Sequence, residues 1–198
     1  MKKTIITVSR QFGSGGRSIA KQLAEKLGVP YYDKEIIEMV GEKTGFHPDY
    51  VSQRAEHAPY ANSFAYAFIG RSVSGESNDD LLWKAQCKVI NELAENGPCV
   101  ILGRCADYLL SDREDVFNVF IYAPKSFRAN RVVEKYGETP TKIEKRLDEK
   151  DKKRSVSYNH YTGKKWGDPG NYDLCINSAS VGVDNVADLI ISALNAVQ

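Results

Sequence analysis

The stretch that most limits what this chain can fold into is residues 4–27, TIITVSRQFGSGGRSIAKQLAEKL. Thr4-Ile5-Ile6-Thr7-Val8 is a β-branched run with the composition of a buried strand. Gly13-Ser14-Gly15-Gly16 then breaks regular structure. From Arg17 to Leu27 the apolar residues Ile19, Leu23 and Leu27 recur at spacing four, one face of a helix. In a strand, glycine turn and helix in succession, backbone N–H groups can turn inward on an anion while the helix adds the positive end of its dipole. Gly13, Ser14, Gly15 and Gly16 are therefore candidate phosphate-binding residues, with Arg17 as the full charge and Ser18 as the hydroxyl for a phosphate-bound metal. Against the pattern G-x-x-x-x-G-K-S/T, Gly16-Arg17-Ser18 matches the end with arginine for lysine. The first glycine would then fall at position 11, which holds Gln11. The plain alternative is an ordinary strand-to-helix turn whose glycines serve only close packing; the flanking strand and helix favour the phosphate loop.

A length of 198 residues fits one domain with inserted flaps, and 42% hydrophobic residues against 27% charged ones supply a core. The net charge of +1 gives no general pull towards nucleic acid or an anionic membrane. No apolar run approaches the roughly 20 residues that span a bilayer. Met1-Lys2-Lys3 leads directly into the first strand with no secretory signal, so a cytoplasmic location is expected. Cys87, Cys99, Cys105 and Cys175 form no C-x-x-C pair and read as free thiols in a reducing compartment. His47, His57 and His160 have no metal-ligand spacing. Small-molecule partners and a monomer or homodimer are the expectation.

Beyond the loop, Tyr31-Tyr32-Asp33 reads as a short strand closing on an acid, with a helix over 34–43. Asp33 is either a ligand contact at the strand edge or the N-cap of that helix. Residues 45–77, with Pro48, Pro59 and the aromatics Tyr60, Phe64, Tyr66 and Phe68, read as a mobile insert, helical in pieces. Its Arg71 is a candidate phosphate contact, because a guanidinium matches phosphate bidentately. Asn78 caps a helix to about Asn96. The strand Cys99-Val100-Ile101-Leu102 runs into Gly103-Arg104, which puts Arg104 at the carboxyl edge of a parallel sheet beside the glycine loop. A third strand, 116–122, is followed by a helix from Pro124 to Tyr136 carrying Arg128 and Arg131. Thr139-Pro140 is a helix-start signal. The helix over 141–155, TKIEKRLDEKDKKRS, places Arg146, Lys150 and Arg154 on one face. With little apolar surface to dock it, it reads either as a solvated helix or as a flap that moves. An aromatic, glycine-rich stretch over 158–172, a strand over 173–177 and a closing helix with Val186, Leu189, Ile190, Ala193, Leu194 and Val197 inward complete the chain. Strands alternating with helices predict a mainly parallel sheet covered on both faces.

The segments SRQFGSGGRSIAKQLAEKLG, YYDKEII, VILGR and EKDKKRSVSYNHYTGKKWGDPGNYDLCINS, with the closing helix, resemble the bacterial cytidylate kinase-like family of nucleoside monophosphate kinases. The resemblance runs essentially end to end. It implies a P-loop NTPase-like α/β fold: a three-layer αβα sandwich with a five-stranded, mainly parallel sheet, an acceptor-binding insert and a helical lid. The core would be 1–44, 78–138 and 173–198, the insert 45–77 and the lid 139–172. It also implies phosphoryl transfer from ATP with Mg2+ to a nucleoside monophosphate, CMP or dCMP foremost. By position, Gly13 to Ser18 would hold the donor phosphates and Ser18 the metal. Asp33 and Arg104 would face the acceptor, and Asp151 and Arg154 the acceptor and the transferred phosphate; Arg71, read from its residue type and its place in the insert, is a further acceptor-binding candidate. Arg128 and Arg131 would lie near the donor adenine and phosphates. Arg17, Arg104, Asp151 and Arg154 are the catalytic candidates. Three positions depart from the family: Arg17 for lysine, Gln11 for glycine, and Leu102 where an acid precedes Gly-Arg. The last leaves magnesium to Ser18, the phosphates and water. The rival readings are a kinase of another small metabolite and a non-catalytic nucleotide sensor on the same scaffold.

Overall fold

The computed structural model describes residues 3–54, 77–137, 139 and 141–197. Strands β1 (Ile5–Arg10), β2 (Tyr31–Tyr32), β3 (Cys99–Leu102), β4 (Val116–Tyr122) and β5 (Leu174–Asn177) form one sheet in the order β2-β3-β1-β4-β5. Every strand pair is parallel. The central strand is the one ahead of the glycine turn, and it outruns its neighbour. β3 ends with Leu102 opposite Val8, whereas β1 continues against β4 until Arg10 faces Ile121. Ser9 and Arg10 therefore project at the carboxyl edge, beside the turn that follows β3.

The period-two alternation of the strands divides the core in two. Ile6, Val8, Val100, Leu102, Phe117, Val119 and Ile121 pack under α1 (Gly16–Leu27) and the closing helix. Ile5, Cys99, Ile101 and Val116 pack under α2 (Glu35–Thr44), α3 (Pro48–Arg54), α4 (Asn78–Glu95) and α5 (Ala106–Leu109). Each fully buried aliphatic side chain contributes about 1.5–3 kcal/mol. Leu102 is one of them, fully enclosed beneath α1, so a carboxylate at this position would be buried among hydrocarbon. All four cysteines are free, and among the described residues no helix is long and apolar enough to cross a membrane.

The remaining helices are α6 (Lys125–Tyr136), α7 (Ile143–Thr162), α8 (Ser178–Val181) and α9 (Val186–Ala196). Several boundaries differ from the sequence expectation. Ser77 caps α4 in place of Asn78, its hydroxyl accepting from the Asp80 N–H in a capping box. The Thr139 hydroxyl donates to the Thr141 carbonyl, so it caps nothing, and α7 begins at Ile143. That helix also continues past Ser155 to Thr162, where Gly163 in the left-handed region ends it. Leu147, Ser157, Tyr158 and Thr162 are its buried residues, which is more docking surface than its charge suggests. Arg146 parts from Lys150 and Arg154, turning instead to the Gly137 carbonyl. In α9, Leu189 is exposed and Ala187 takes its place inside.

One tie between α7 and the core carries a titratable group. The Tyr158 hydroxyl donates to Asp107 Oδ2 at 2.7 Å. Burial pushes the Asp107 carboxyl above its ordinary 3.8, against the opposing pull of that hydrogen bond and of Lys164. Above pH 3.8 the unfolded chain has released a proton that the folded chain still holds, so this group makes stability fall as pH rises towards its folded value. Denaturant titrations across that window should show stability changing with a more negative pH slope in wild type than in Asp107→Asn. An identical pH slope in the variant would contradict this placement of the carboxyl.

Candidate active site

The glycine turn between β1 and α1 is held from beneath. The Gln11 N–H donates to the Ile121 carbonyl at 3.0 Å, and Gln11 Oε1 accepts from the Ala123 N–H at 3.2 Å. Glutamine at this position thus fastens the loop to the exit of β4. Ser14 is fully buried, its Oγ 2.9 Å from the Gln11 carbonyl and 3.1 Å from that of Ile121. Ser178 Oγ donates to the Ser14 carbonyl at 2.6 Å. The Ser14 side chain is therefore part of the foundation of the loop. Gly13 and Gly15 are left-handed, at φ 84° and 88°. A Cβ on Gly13 would lie 2.9 Å from the Arg128 carbonyl, so no other residue fits there.

Gly15 is the N-cap of α1, and Arg17 and Ser18 follow in its first turn. Ser18 Oγ accepts from Lys135 Nζ at 3.0 Å and from Arg131 Nη2 at 3.4 Å. The hydroxyl assigned to a metal thus sits in a nest of cations. Arg17 pairs through Nε with Asp33 Oδ2 at 2.7 Å. Its side chain is 56% exposed while that of Asp33 is 7% exposed. Asp33 is not the N-cap of α2; Lys34 stands there, and the Asp33 N–H donates to Glu35 Oε2.

Arg128 and Asp151, separated by the sequence reading into donor and acceptor roles, meet. Arg128 Nη1 lies 2.6 Å from Asp151 Oδ2, with the guanidinium 8% and the carboxylate 18% exposed. The same nitrogen donates to the Phe12 carbonyl at 3.0 Å, Nε donates to the Ala123 carbonyl at 3.0 Å, and the Phe12 N–H donates to Asp151 Oδ1 at 2.7 Å. This arrangement joins α6, α7 and the phosphate loop. One turn later on α7, Arg154 Nη1 donates to the Arg10 carbonyl at 3.1 Å, and its guanidinium carbon lies 5.9 Å from the centre of the Phe12 ring.

At the exit of β3, Gly103, Arg104 and Cys105 are all left-handed. Such a conformation costs about 1–3 kcal/mol at each non-glycine residue and persists only where the surroundings impose it. Gln86 Nε2 does so, donating to the Arg104 carbonyl at 3.1 Å, as does the Gly103 N–H, which donates to the Val8 carbonyl at 3.0 Å. The turn delivers Arg104 to the edge where the sequence placed it.

Two adjoining hollows open here. A cleft of about 510 Å³ is lined by the glycine loop with Arg17, Ser18, Asp33, Arg131 and Lys150. A second hollow, about 70 Å³, lies between α3, α4 and α7, walled by Gln86 and by Trp83 stacked on Tyr161 at 4.1 Å. The Arg54–Asp79 ion pair, at 3.2 Å, lines it too. Arg10, Arg104 and Arg154 line both. Arg71 lies outside the described residues. Sequence reading missed Arg10, Lys135, Gln86 and the Trp83–Tyr161 stack. Lys135 had a signal, since Arg128, Arg131 and Lys135 recur on one face of α6. The stack had none, because its rings come from helices far apart in the chain. Removing one partner of a buried ion pair costs about 3–5 kcal/mol. Asp151→Ala should therefore lower stability by about that much in urea titrations; a loss below about 1 kcal/mol would mean that Arg128 does not depend on it.

Comparison with known proteins bears on the family and the fold. A model of the cytidylate kinase-like family matches residues 5–180. Cytidylate kinases of Natronomonas pharaonis and Archaeoglobus fulgidus are 25% and 27% identical to this chain, over 97% and 96% of it and 90% and 93% of their own length. The crystal structure of an uncharacterized protein from Eubacterium ventriosum superposes with a TM-score of 0.74 at 32% identity, over 98% of this chain and 99% of that one. Shikimate kinase from Acinetobacter baumannii, crystallised with shikimate, matches at a TM-score of 0.56 and 16% identity over 98% of this chain and 94% of that one, a likeness of fold alone. The α/β sandwich is that of the P-loop kinases, and the chain belongs to the cytidylate kinase-like family.

Proposed function

We propose that the protein is a nucleoside monophosphate kinase that moves the γ-phosphoryl group of ATP to CMP or dCMP. The observation that carries this reading is the junction of two hollows at Arg10, Arg104 and Arg154. Phosphoryl transfer needs a donor site and an acceptor site that share a wall of positive charge, because catalysis rests on positioning and charge neutralisation. The larger cleft, with the glycine loop, takes the triphosphate. The smaller one, with its aromatic wall, takes the acceptor. An acceptor phosphate oxygen forms a bond to the γ-phosphorus as the bond to the β,γ-bridging oxygen breaks, and ADP leaves with that charge. The attacking oxygen is already anionic, so no general base is required.

The backbone N–H groups of residues 13–18 and the amino end of α1 hold donor phosphates. Ser18 is suited to a magnesium ion by its hydroxyl, with phosphate oxygens and water completing the shell, since Leu102 is buried and Asp33 is engaged by Arg17. Bound there, magnesium would supply positive charge that neutralises the phosphates of the donor. Arg131 and Lys135 flank the same phosphates, and Lys135 must yield Ser18 to the metal. Arg104 and Arg154 hold the acceptor phosphate and the transferring group, with Asp33 and Arg17 on the wall between the loop and α2. Asp151 and Arg128 act as positioning residues, fixing the helix that presents Arg154. A hollow of about 70 Å³ is well below the roughly 300 Å³ of small ligand sites. Acceptor binding therefore requires α3 and α7 to part, and their return excludes water from the phosphoryl group.

An assay coupling ADP release to a panel of nucleoside monophosphates and small hydroxylated metabolites tests the reading. With ATP and magnesium, CMP and dCMP should turn over faster than AMP or GMP. Turnover of a metabolite with none of any nucleotide would overturn it, and ATP binding without any turnover would leave a nucleotide sensor.

A further inference from the structure

We propose that Arg10, the last residue of β1, is the catalytic cation of the donor site and stands in for the lysine of the phosphate loop. The inference rests on the kinase reading above and names a residue for that reaction which sequence pattern does not offer. In G-x-x-x-x-G-K-S/T the lysine directly follows the last glycine of the turn and reaches the β- and γ-phosphates. In this structure the last left-handed glycine is Gly15, the N-cap of α1. The residue directly after it is Gly16, not Arg17. Counting back along the pattern from Gly15, the first glycine falls on Arg10. Glycine and cation have therefore exchanged places across the loop.

The exchange is visible sterically. A Cβ on Gly16 would lie 2.5 Å from Arg10 Cβ and 2.8 Å from Cγ, so the stem of Arg10 occupies the space where a side chain at 16 would begin. The head of Arg10 reaches the turn after β3, where a Cβ on Gly103 would overlap Nη1. Both glycines are kept free of side chains by the same arginine. Its path runs from the glycine loop to the Arg104 turn, and it lines the donor cleft and the acceptor hollow together. Its carbonyl also receives Arg154 Nη1. Arg17, turned to Asp33, has no such path. A guanidinium also offers two parallel donors to a phosphate, which a lysine does not.

Arg10→Gln tests this, because it keeps the stem against Gly16 and removes the charge. The kcat should fall about a hundredfold, as for loss of one donor aimed at transition-state charge, with the thermal midpoint and the KM for CMP little changed. A fall of less than about tenfold overturns the assignment. The double variant Arg10→Gly with Gly16→Lys returns the first glycine and the lysine of the pattern to their ordinary positions. It should exceed Arg10→Gly alone in kcat by tenfold or more, and a double variant no faster than the single one overturns the exchange. This comparison decides the matter if Arg10→Gln does not fold. Equilibrium binding of ATP and ADP separates this inference from the kinase reading. If wild type turns over no nucleotide, the kinase reading fails, yet a drop in the preference for ATP over ADP in Arg10→Gln still supports Arg10 at the phosphates. An unchanged preference overturns it.

Discussion

The rest of the site depends on the ion pair of Arg128 and Asp151, which grips Phe12 by its N–H and its C=O. Phe12 lies in the middle of the phosphate loop, Arg128 comes from the helix after β4, and Asp151 from the long charged helix. A pair so far removed from water pays for its desolvation only when the remaining hydrogen-bonding capacity is filled. Here the Phe12 N–H, the Phe12 carbonyl and the Ala123 carbonyl fill it. By contrast, the exposed pair Lys125–Asp148 in the same seam contributes about 0–1 kcal/mol. The buried pair fixes both the height of the loop over the sheet and the register of α7, and that register sets where Arg154 emerges.

A second constraint comes from the sheet edge. β3 stops two residues before β1, and the chain leaves it in a left-handed run that only a glycine at 103 and firm hydrogen bonds at 104 allow. The early stop opens a gap at the end of β1, and Arg10 lies across it. Arg10, Arg104 and Arg154 line the junction of the two hollows together, and in the proposed reaction their charge would raise the local potential where the phosphoryl group passes. Backbone strain and like-charge crowding at one edge, above a core of ordinary aliphatic packing, are what a site for a multiply charged ligand requires.

The sheet and most helices were legible because their signals are local. The β-branched run at 5–8, the apolar runs at 99–102 and 116–122 and the fourfold spacing in α1 each report burial on their own. The loop register was less legible. Gly15-Gly16 allows the pattern to be laid down in two ways, and only the left-handed cap at Gly15 and the stem of Arg10 over Gly16 choose between them. The charged helix was read from composition as docking weakly. Its anchors, Leu147, Asp151 and Tyr158, are few, and two of them act through polar partners in distant segments that no periodicity reports. Likewise Ser77 and Asn78 are equally good caps by type, and the reciprocal hydrogen bond with Asp80 decides. Asp33 and Arg17 looked like separate ligand contacts because the strand that leads into Asp33 is only two residues long, too short to show that it ends opposite the first turn of α1.

The most direct measurement is a crystal structure of the protein with adenosine and cytidine joined through a polyphosphate, a ligand that fills donor and acceptor sites at once. The expected result has the central phosphates within hydrogen-bonding distance of the guanidinium groups of Arg10, Arg104 and Arg154, the adenosine-side phosphates on the glycine loop, and the cytosine beside Trp83. A polyphosphate bound away from those three arginines, with no base in the hollow between α3, α4 and α7, would contradict a phosphoryl transfer site at their junction.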